Sequence, residues 1–217
     1  MDILDRDIEA GVLQRGLAQQ NGSRKEAAVL VALVARDPAL PPAQVGNLDL
    51  VLEVRASTLA VQPGEVSLPG GSVEPGETPA AAAARECAEE LLVEPGQIDL
   101  LGPLGTVSGP AGIRLHAFCG LLSGYADTFS KDEVERVFRL PLSWLLEHEP
   151  ACYEVGIRQD FPEDFPWDRV PGGRSYRWRT ARGHIPFYDT DPVIWGATAR
   201  VLERFSRVVR AGLSGGA

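Results

Sequence analysis

Three glutamates, Glu86, Glu89 and Glu90, stand at i, i+3 and i+4 in the stretch GSVEPGETPAAAAARECAEELLV, which runs from Gly71 to Val93. On a helix this spacing sends all three side chains off one face. Carboxylates crowded together repel unless something positive joins them. A hard divalent cation is the natural partner, because it takes oxygen ligands and bridges readily to phosphates. An acidic helix face is otherwise an ordinary solvated surface, so the neighbouring offsets matter more than the cluster. Gly71 is followed by five residues and then Glu77, and after seven more residues comes Arg85-Glu86-Cys87-Ala88-Glu89-Glu90.

The flanking residues say how such a helix would be held. Thr78 is a good N-cap and Pro79 fits the first helical position. Glu77 lies near the positive end of the helix dipole, which favours its charged form. Ala80, Ala84, Cys87 and Leu91 form a spaced apolar stripe, giving the helix a core face and a separate ligand face. Upstream, Gly64, Pro69, Gly70, Gly71, Pro75 and Gly76 make a shaped loop that leads straight into it. Ala27–Ala35 and Leu48–Arg55 read as strands, the second with the imperfect alternation expected when both sheet faces are covered. Further strands are expected at Ile98–Val107, Ile113–Leu122 and Val134–Leu140, and a short helix at Pro141–Glu147. Residues 4–20 read as a leading helix, and Asp191–Arg210 as a final helix with Asp191 as N-cap and Pro192 at its first position. The expected organisation is an N-terminal helical extension over residues 1–25 and one domain over 26–217.

Composition narrows the function classes. The 217 residues suffice for one sizeable core, and a hydrophobic share of 44% with 24% charged residues is ordinary for a globular protein. A net charge of −9 argues against nucleic acid as a partner, since that needs a basic footprint. It leaves phosphorylated small molecules open if a metal supplies positive charge. Cys87, Cys119 and Cys152 are odd in number and match no disulfide or zinc spacing, which points to a reducing cytoplasm. The first residues lack the basic start and apolar centre of a signal peptide, and Ala27–Ala35 is too short to cross a bilayer as a helix, so no membrane partner is expected.

The glycine, Glu77 and Arg85 offsets resemble the Nudix box, G-x5-E-x7-R-E-U-x-E-E-x-G-U, where U is aliphatic. Leu92 stands in place of the second glycine and Cys87 in place of an aliphatic residue. Upstream, VLEVRASTLAVQPGEVSLPGG resembles the LLTxRSxxLRxHxGExxFPGG segment of coenzyme A pyrophosphatases within that superfamily. Leu52, Arg55, Leu59, Gly64, Glu65, Pro69, Gly70 and Gly71 match, whereas Ala60, Gln62 and Leu68 depart. Asp132-Glu133-Val134, Leu140-Pro141-Leu142-Ser143 and Ile194-Trp195-Gly196-Ala197-Thr198-Ala199 resemble later segments of the same subfamily.

The resemblance implies an α+β Nudix fold, a mixed β-sheet sandwiched between helices. It implies Mg²⁺ or Mn²⁺ held by Glu86, Glu89, Glu90 and the Gly70 carbonyl, with Arg85 bracing Glu77. It also implies substrate contacts from Arg55, Gly70 and Gly71. The general base is either a box glutamate, Glu89, or a later loop residue, Glu133. The implied reaction is hydrolysis of the pyrophosphate of coenzyme A or acyl-CoA to phosphopantetheine and adenosine 3′,5′-bisphosphate. ADP-ribose or another small nucleoside diphosphate derivative is the alternative substrate, favoured by Ala60 and Gln62. A non-hydrolytic nucleotide sensor is the competing class, and the complete glutamate set argues against it. A homodimer is left open. Arg158, Arg169, Arg174, Arg177, Arg179 and Arg182 read either as a phosphate-binding lid or as surface partners of nearby acids.

Overall fold

Strand β1 (Glu26–Ala35) lies at the middle of the sheet because its residues bury both faces. It pairs antiparallel with β2 (Leu48–Arg55) and parallel with β6 (Arg114–Leu122). The computed structural model describes residues 25–37, 39–40, 45–108, 112–179 and 181–215, so the expected leading helix lies outside the described residues. Two short strands, β3 (Val66–Ser67) and β4 (Gly70–Ser72), pair with β2 and β1 respectively. Strand β5 (Ile98–Ser108) closes on β6, and β7 (Val134–Pro141) on the other side of β2. The β1–β6 pair is parallel and the other described pairs of this sheet are antiparallel, so the sheet is mixed.

Alternation along β1 decides what covers each face. Leu30, Ala32 and Val34 pack with Cys87 and Leu91 of helix α1 (Pro79–Leu91). Val31 and Leu33 pack on the opposite side with Leu142 and Leu145 of α2 (Leu142–Glu147) and Val201, Leu202 and Phe205 of α3 (Gly196–Ser214). The expected helix–sheet–helix sandwich is what forms. Helix α1 begins as its sequence demands: the Thr78 hydroxyl accepts from the Ala81 N–H at 3.2 Å, with Pro79 next.

Two expectations are corrected. The final helix starts at Gly196, not after Asp191, and Trp195 occupies its N-cap. Ile194 and Trp195 form strand β10 instead, paired with Tyr188 and Phe187 of β9 (Ala181–Tyr188), and that ladder takes them out of the helix. The apolar stripe of α1 is also rotated. Its buried residues are Ala82, Ala83, Cys87, Glu90 and Leu91, while Ala80 and Ala84 are only half-buried.

A second, three-stranded sheet is made of β8 (Ala151–Ile157), β9 and β10. Between β8 and β9, Phe161 packs on Phe165, Trp167 and Trp178 with ring centroids 4.7, 4.8 and 5.0 Å apart, so these aromatics anchor one another. Arg174 lies over the Trp167 ring and Arg182 pairs with Glu154 at 2.5 Å. Cys87 and Cys119 are buried and Cys152 is exposed, all as free thiols. No helix among the described residues is long and apolar enough to cross a membrane.

Leu92, which replaces the glycine of the box, ends α1 in the left-handed conformation, φ 53° and ψ 47°, and its N–H closes on the Ala88 carbonyl. Its side chain is 59% exposed, so nothing in the packing offsets the strain of a Cβ there. Leu92→Gly is expected to raise the unfolding free energy by about 1 kcal/mol, measured by urea denaturation. A lower value in the variant would mean that Leu92 makes a compensating contact.

Candidate active site

The site forms where α1 passes the glycine turn of β4. Gly70 has φ +153°, and a Cβ there would collide with the Ala28 carbonyl and the Val29 backbone on β1. A Cβ on Gly71 would fall on the Glu86 carboxylate. The two glycines therefore let the helix glutamates lie directly against the turn. Glu90 is 4% exposed, and its Oε2 accepts from the Gly70 N–H at 2.7 Å.

Arg85 organises the outer half. Its Nε and Nη2 donate to the two Glu77 oxygens at 3.0 Å each, and Nη2 also donates to the Ser72 carbonyl at 3.1 Å. Its Nη1 pairs with Glu86 at 3.0 Å and Glu89 at 3.2 Å. Arg85 holds the Glu77 carboxyl below its ordinary range, aided by the Glu74 N–H. These carboxylates raise the guanidinium in return. Glu89 is the most exposed of the helix set, with 60% of its side chain open.

The inner half contains a residue that the motif did not reveal. Glu53 of β2 is 1% exposed, and its Oε1 has no hydrogen-bond partner. Burial pushes its carboxyl well above the ordinary range, and the neighbouring Glu90 adds to the rise. Burial likewise raises Glu90 against the opposing pull of the Gly70 N–H, and raises Glu86 against the pull of Arg85. Glu133, exposed just before β7, adds a repulsion to all three. The signal for Glu53 lay in the parity of LDLVLEVR. Leu48, Leu50, Leu52 and Val54 belong to the α3 side of the sheet, so Asp49, Val51 and Glu53 face α1. Asp49 has Arg36 at 2.6 Å, whereas Glu53 meets carboxylates.

The donors fit a hard divalent cation by their chemistry: they are oxygens, they carry excess negative charge, and one buried oxygen is orphaned. In their present rotamers Glu86 and Glu89 pair with Arg85. As they stand, no three His, Cys, Asp or Glu side chains among the described residues converge tightly enough to grip one ion. The reason is Arg85, which draws Glu86 and Glu89 to itself. Glu90, Glu53 and, by a swing off Arg85, Glu86 and Glu89 are the residues that could hold the ion. Gly70 is placed in the site through its N–H, which Glu90 occupies.

A cavity of about 160 Å³ opens beside the turn. Arg55, Gln62, Gly70 and Gly71 line one side, and Trp195 and Thr198 the other. Thr198 donates to the Val66 carbonyl at 3.0 Å, which pins the start of α3 to β3. Trp195 is 39% exposed and stacks on Phe187 at 5.6 Å and 16°. The arginines between residues 158 and 182 do not line this cavity.

The chain is similar to proteins of one family. The family model of the NUDIX domain matches residues 44–159. An uncharacterized Nudix hydrolase NudL from Citrobacter koseri is 34% identical over 87% of this chain and 86% of its own length. Nudix hydrolase 22, chloroplastic, from Arabidopsis thaliana is 29% identical over 90% of this chain, which spans 59% of the plant protein's length. Among solved structures, the MutT protein from Methanosarcina mazei is 21% identical and superposes with a TM-score of 0.42, covering 58% of this chain and 85% of that one.

The buried carboxylates set a pH dependence for the metal-free protein. Glu53 and Glu90 bind protons more tightly folded than unfolded, so the folded state holds more protons above the ordinary value of 4.5. Stability then falls as pH rises. In EDTA, the melting temperature is expected to drop between pH 5 and pH 8, as measured by differential scanning fluorimetry at about 0.1 M salt. A melting temperature that rises over that window would show that the pair is compensated by a positive group.

Proposed function

This chain belongs to the Nudix family, and from that premise we propose that it hydrolyses the pyrophosphate bond of coenzyme A or an acyl-CoA. The products would be phosphopantetheine, or its acyl form, and adenosine 3′,5′-bisphosphate. One observation carries the choice of substrate. The two segments that resemble coenzyme A pyrophosphatases, around Arg55–Gly71 and Ile194–Ala199, are distant in sequence yet line one cavity beside the glycine turn. A diphosphate at the turn would place its attached group in that cavity.

Each side chain has a role in this reading. Gly70 and Gly71, without Cβ atoms, admit the diphosphate against the turn. Arg55 is the cation among the described lining residues and has one weak side-chain bond, to the Val61 carbonyl at 3.4 Å, so it can turn to a phosphate. The exposed face of Trp195 offers a stacking surface for a base. Glu86, Glu89 and Glu90 hold Mg²⁺ or Mn²⁺, which when bound neutralises the diphosphate and lowers the pKa of water. Glu133 takes the proton of the attacking water, with Glu89 the other candidate. Arg85 keeps Glu77 and the α1 carboxylates in register.

The alternative substrate, ADP-ribose or a related nucleoside diphosphate, has an observation of its own. Ala60 removes an arginine from the segment, and the arginines after residue 158 lie away from the cavity. The deciding experiment is turnover of coenzyme A, dephospho-coenzyme A, ADP-ribose and NADH with Mg²⁺ or Mn²⁺. The highest kcat/KM is expected for coenzyme A or its acyl form. A preference for ADP-ribose would transfer the assignment, and tight binding without turnover would make the protein a sensor.

Two variants test the site. Glu90→Gln is expected to fold normally by circular dichroism and to lose on the order of 100-fold in kcat; unaltered turnover removes Glu90 from the ligand set. Trp195→Ala is expected to raise KM about tenfold with little change in kcat, the mark of lost uniform binding. An unchanged KM would place the base elsewhere.

A further inference from the structure

Glu53 is an anomaly in the sheet. Positions 51, 52 and 54 of the same strand are buried valines and leucine, and position 53 is as buried as they are. A carboxylate there costs several kcal/mol unless something compensates it. The groups in reach do so only in part: the carboxyl shares a hydrogen bond with Glu90, but Oε1 has no partner, and the other neighbours are Glu133 and the thiol of Cys87. Arg55, two positions along the strand, is an opposing charge, and its influence is smaller than the repulsion from Glu90. An apolar residue would fill the position at no such cost.

The arrangement makes sense if the missing compensation is the ion itself. We propose that Glu53 is a further ligand of the divalent cation, a carboxylate supplied by sheet strand β2 and lying outside the α1 motif. Glu90 is held between the Gly70 N–H on one side and Glu53 on the other. An ion seated against Glu90 on the sheet side therefore meets the orphaned Oε1. A ligand from the sheet also explains how the site binds a cation while Arg85 competes for Glu86 and Glu89. The inner pair, Glu53 and Glu90, is out of Arg85's reach and can take the ion first. This inference rests on the metal-dependent reading above and adds a residue to it.

The test uses Mn²⁺ alone, with the full chain and without substrate. Mn²⁺ affinity is measured by titration with electron paramagnetic resonance for the wild type, Glu53→Gln and Glu53→Leu. Melting temperature is measured in EDTA and again with saturating Mn²⁺. Both variants are expected to bind Mn²⁺ about 10–100-fold more weakly. Both are expected to melt in EDTA at or above the wild-type temperature, because a buried carboxyl with an orphaned oxygen beside other carboxylates has been removed. The gain in melting temperature from Mn²⁺ should shrink accordingly. This opposition between metal-free stability and affinity separates a ligand from a packing residue, whose loss lowers stability and leaves affinity alone. Wild-type binding with unchanged affinity in Glu53→Gln overturns the inference and leaves the metal-dependent reading standing. Lower melting temperatures in EDTA with unchanged affinity overturn it in the same way. No Mn²⁺ binding by the wild type overturns both.

Discussion

The contact between the Glu90 carboxylate and the Gly70 N–H is the constraint on which the rest of the site depends. It ties the last turn of α1 to the strand that carries the glycines, and it does so inside the core. A carboxylate can lie there only because Gly70 has no Cβ to block the approach of β4 to β1, and because the amide offers a charge-assisted bond. Everything that touches the diphosphate in the proposed reaction is placed relative to this junction. Arg55 and the cavity lie on one side of it, Arg85 and the outer carboxylates on the other.

Much of this was legible in the sequence because it depends on local chemistry. The cap at Thr78, the first-turn Pro79 and the covered faces of β1 follow from residue type and periodicity. What escaped was set by contacts between distant segments. Ile194 and Trp195 look helical next to the rest of α3 but are claimed by a ladder to β9, and no local preference encodes that pairing. The strands β8 and β9 have few apolar runs, and their connection is filled by aromatics that stack on one another.

The reading of α1 as a helix with separate core and ligand faces failed for an instructive reason. Counting apolar residues placed the stripe on Ala80 and Ala84. The helix instead turns Ala83, Cys87 and Glu90 inward, because the small alanines at 82 and 83 let it sit close to Ala28 on β1. The ligand face and the core face overlap at Glu90. Pattern reading assumes that charge points to water, and that assumption breaks at a functional site. Glu53 escapes under the same assumption: in LDLVLEVR, Asp49, Glu53 and Arg55 alternate with Leu48, Leu50, Leu52 and Val54, so position 53 reads as facing solvent.

The two halves of the carboxylate cluster are stabilised by different means, and this bears on how the site works. In the outer half, Arg85 already supplies a positive charge, so Glu77, Glu86 and Glu89 are compensated without an ion. In the inner half, Glu90 has the Gly70 N–H and a hydrogen bond with Glu53, Arg55 acts on Glu53 more weakly than Glu90 does, and Glu53 Oε1 has no partner. An arriving cation gains most where compensation is poorest, since attraction strengthens as water is excluded. The gradient thus runs inward, from a salt-bridged rim exchanging with solvent to a buried pair with unmet charge. In the proposed reaction, a diphosphate approaching the glycine turn would meet an ion held from beneath by the sheet, with the more exposed Glu89 at the rim free to turn to the reacting group. Rigidity below and adjustability above is the combination that a site must have to keep one charge fixed while the geometry at phosphorus changes.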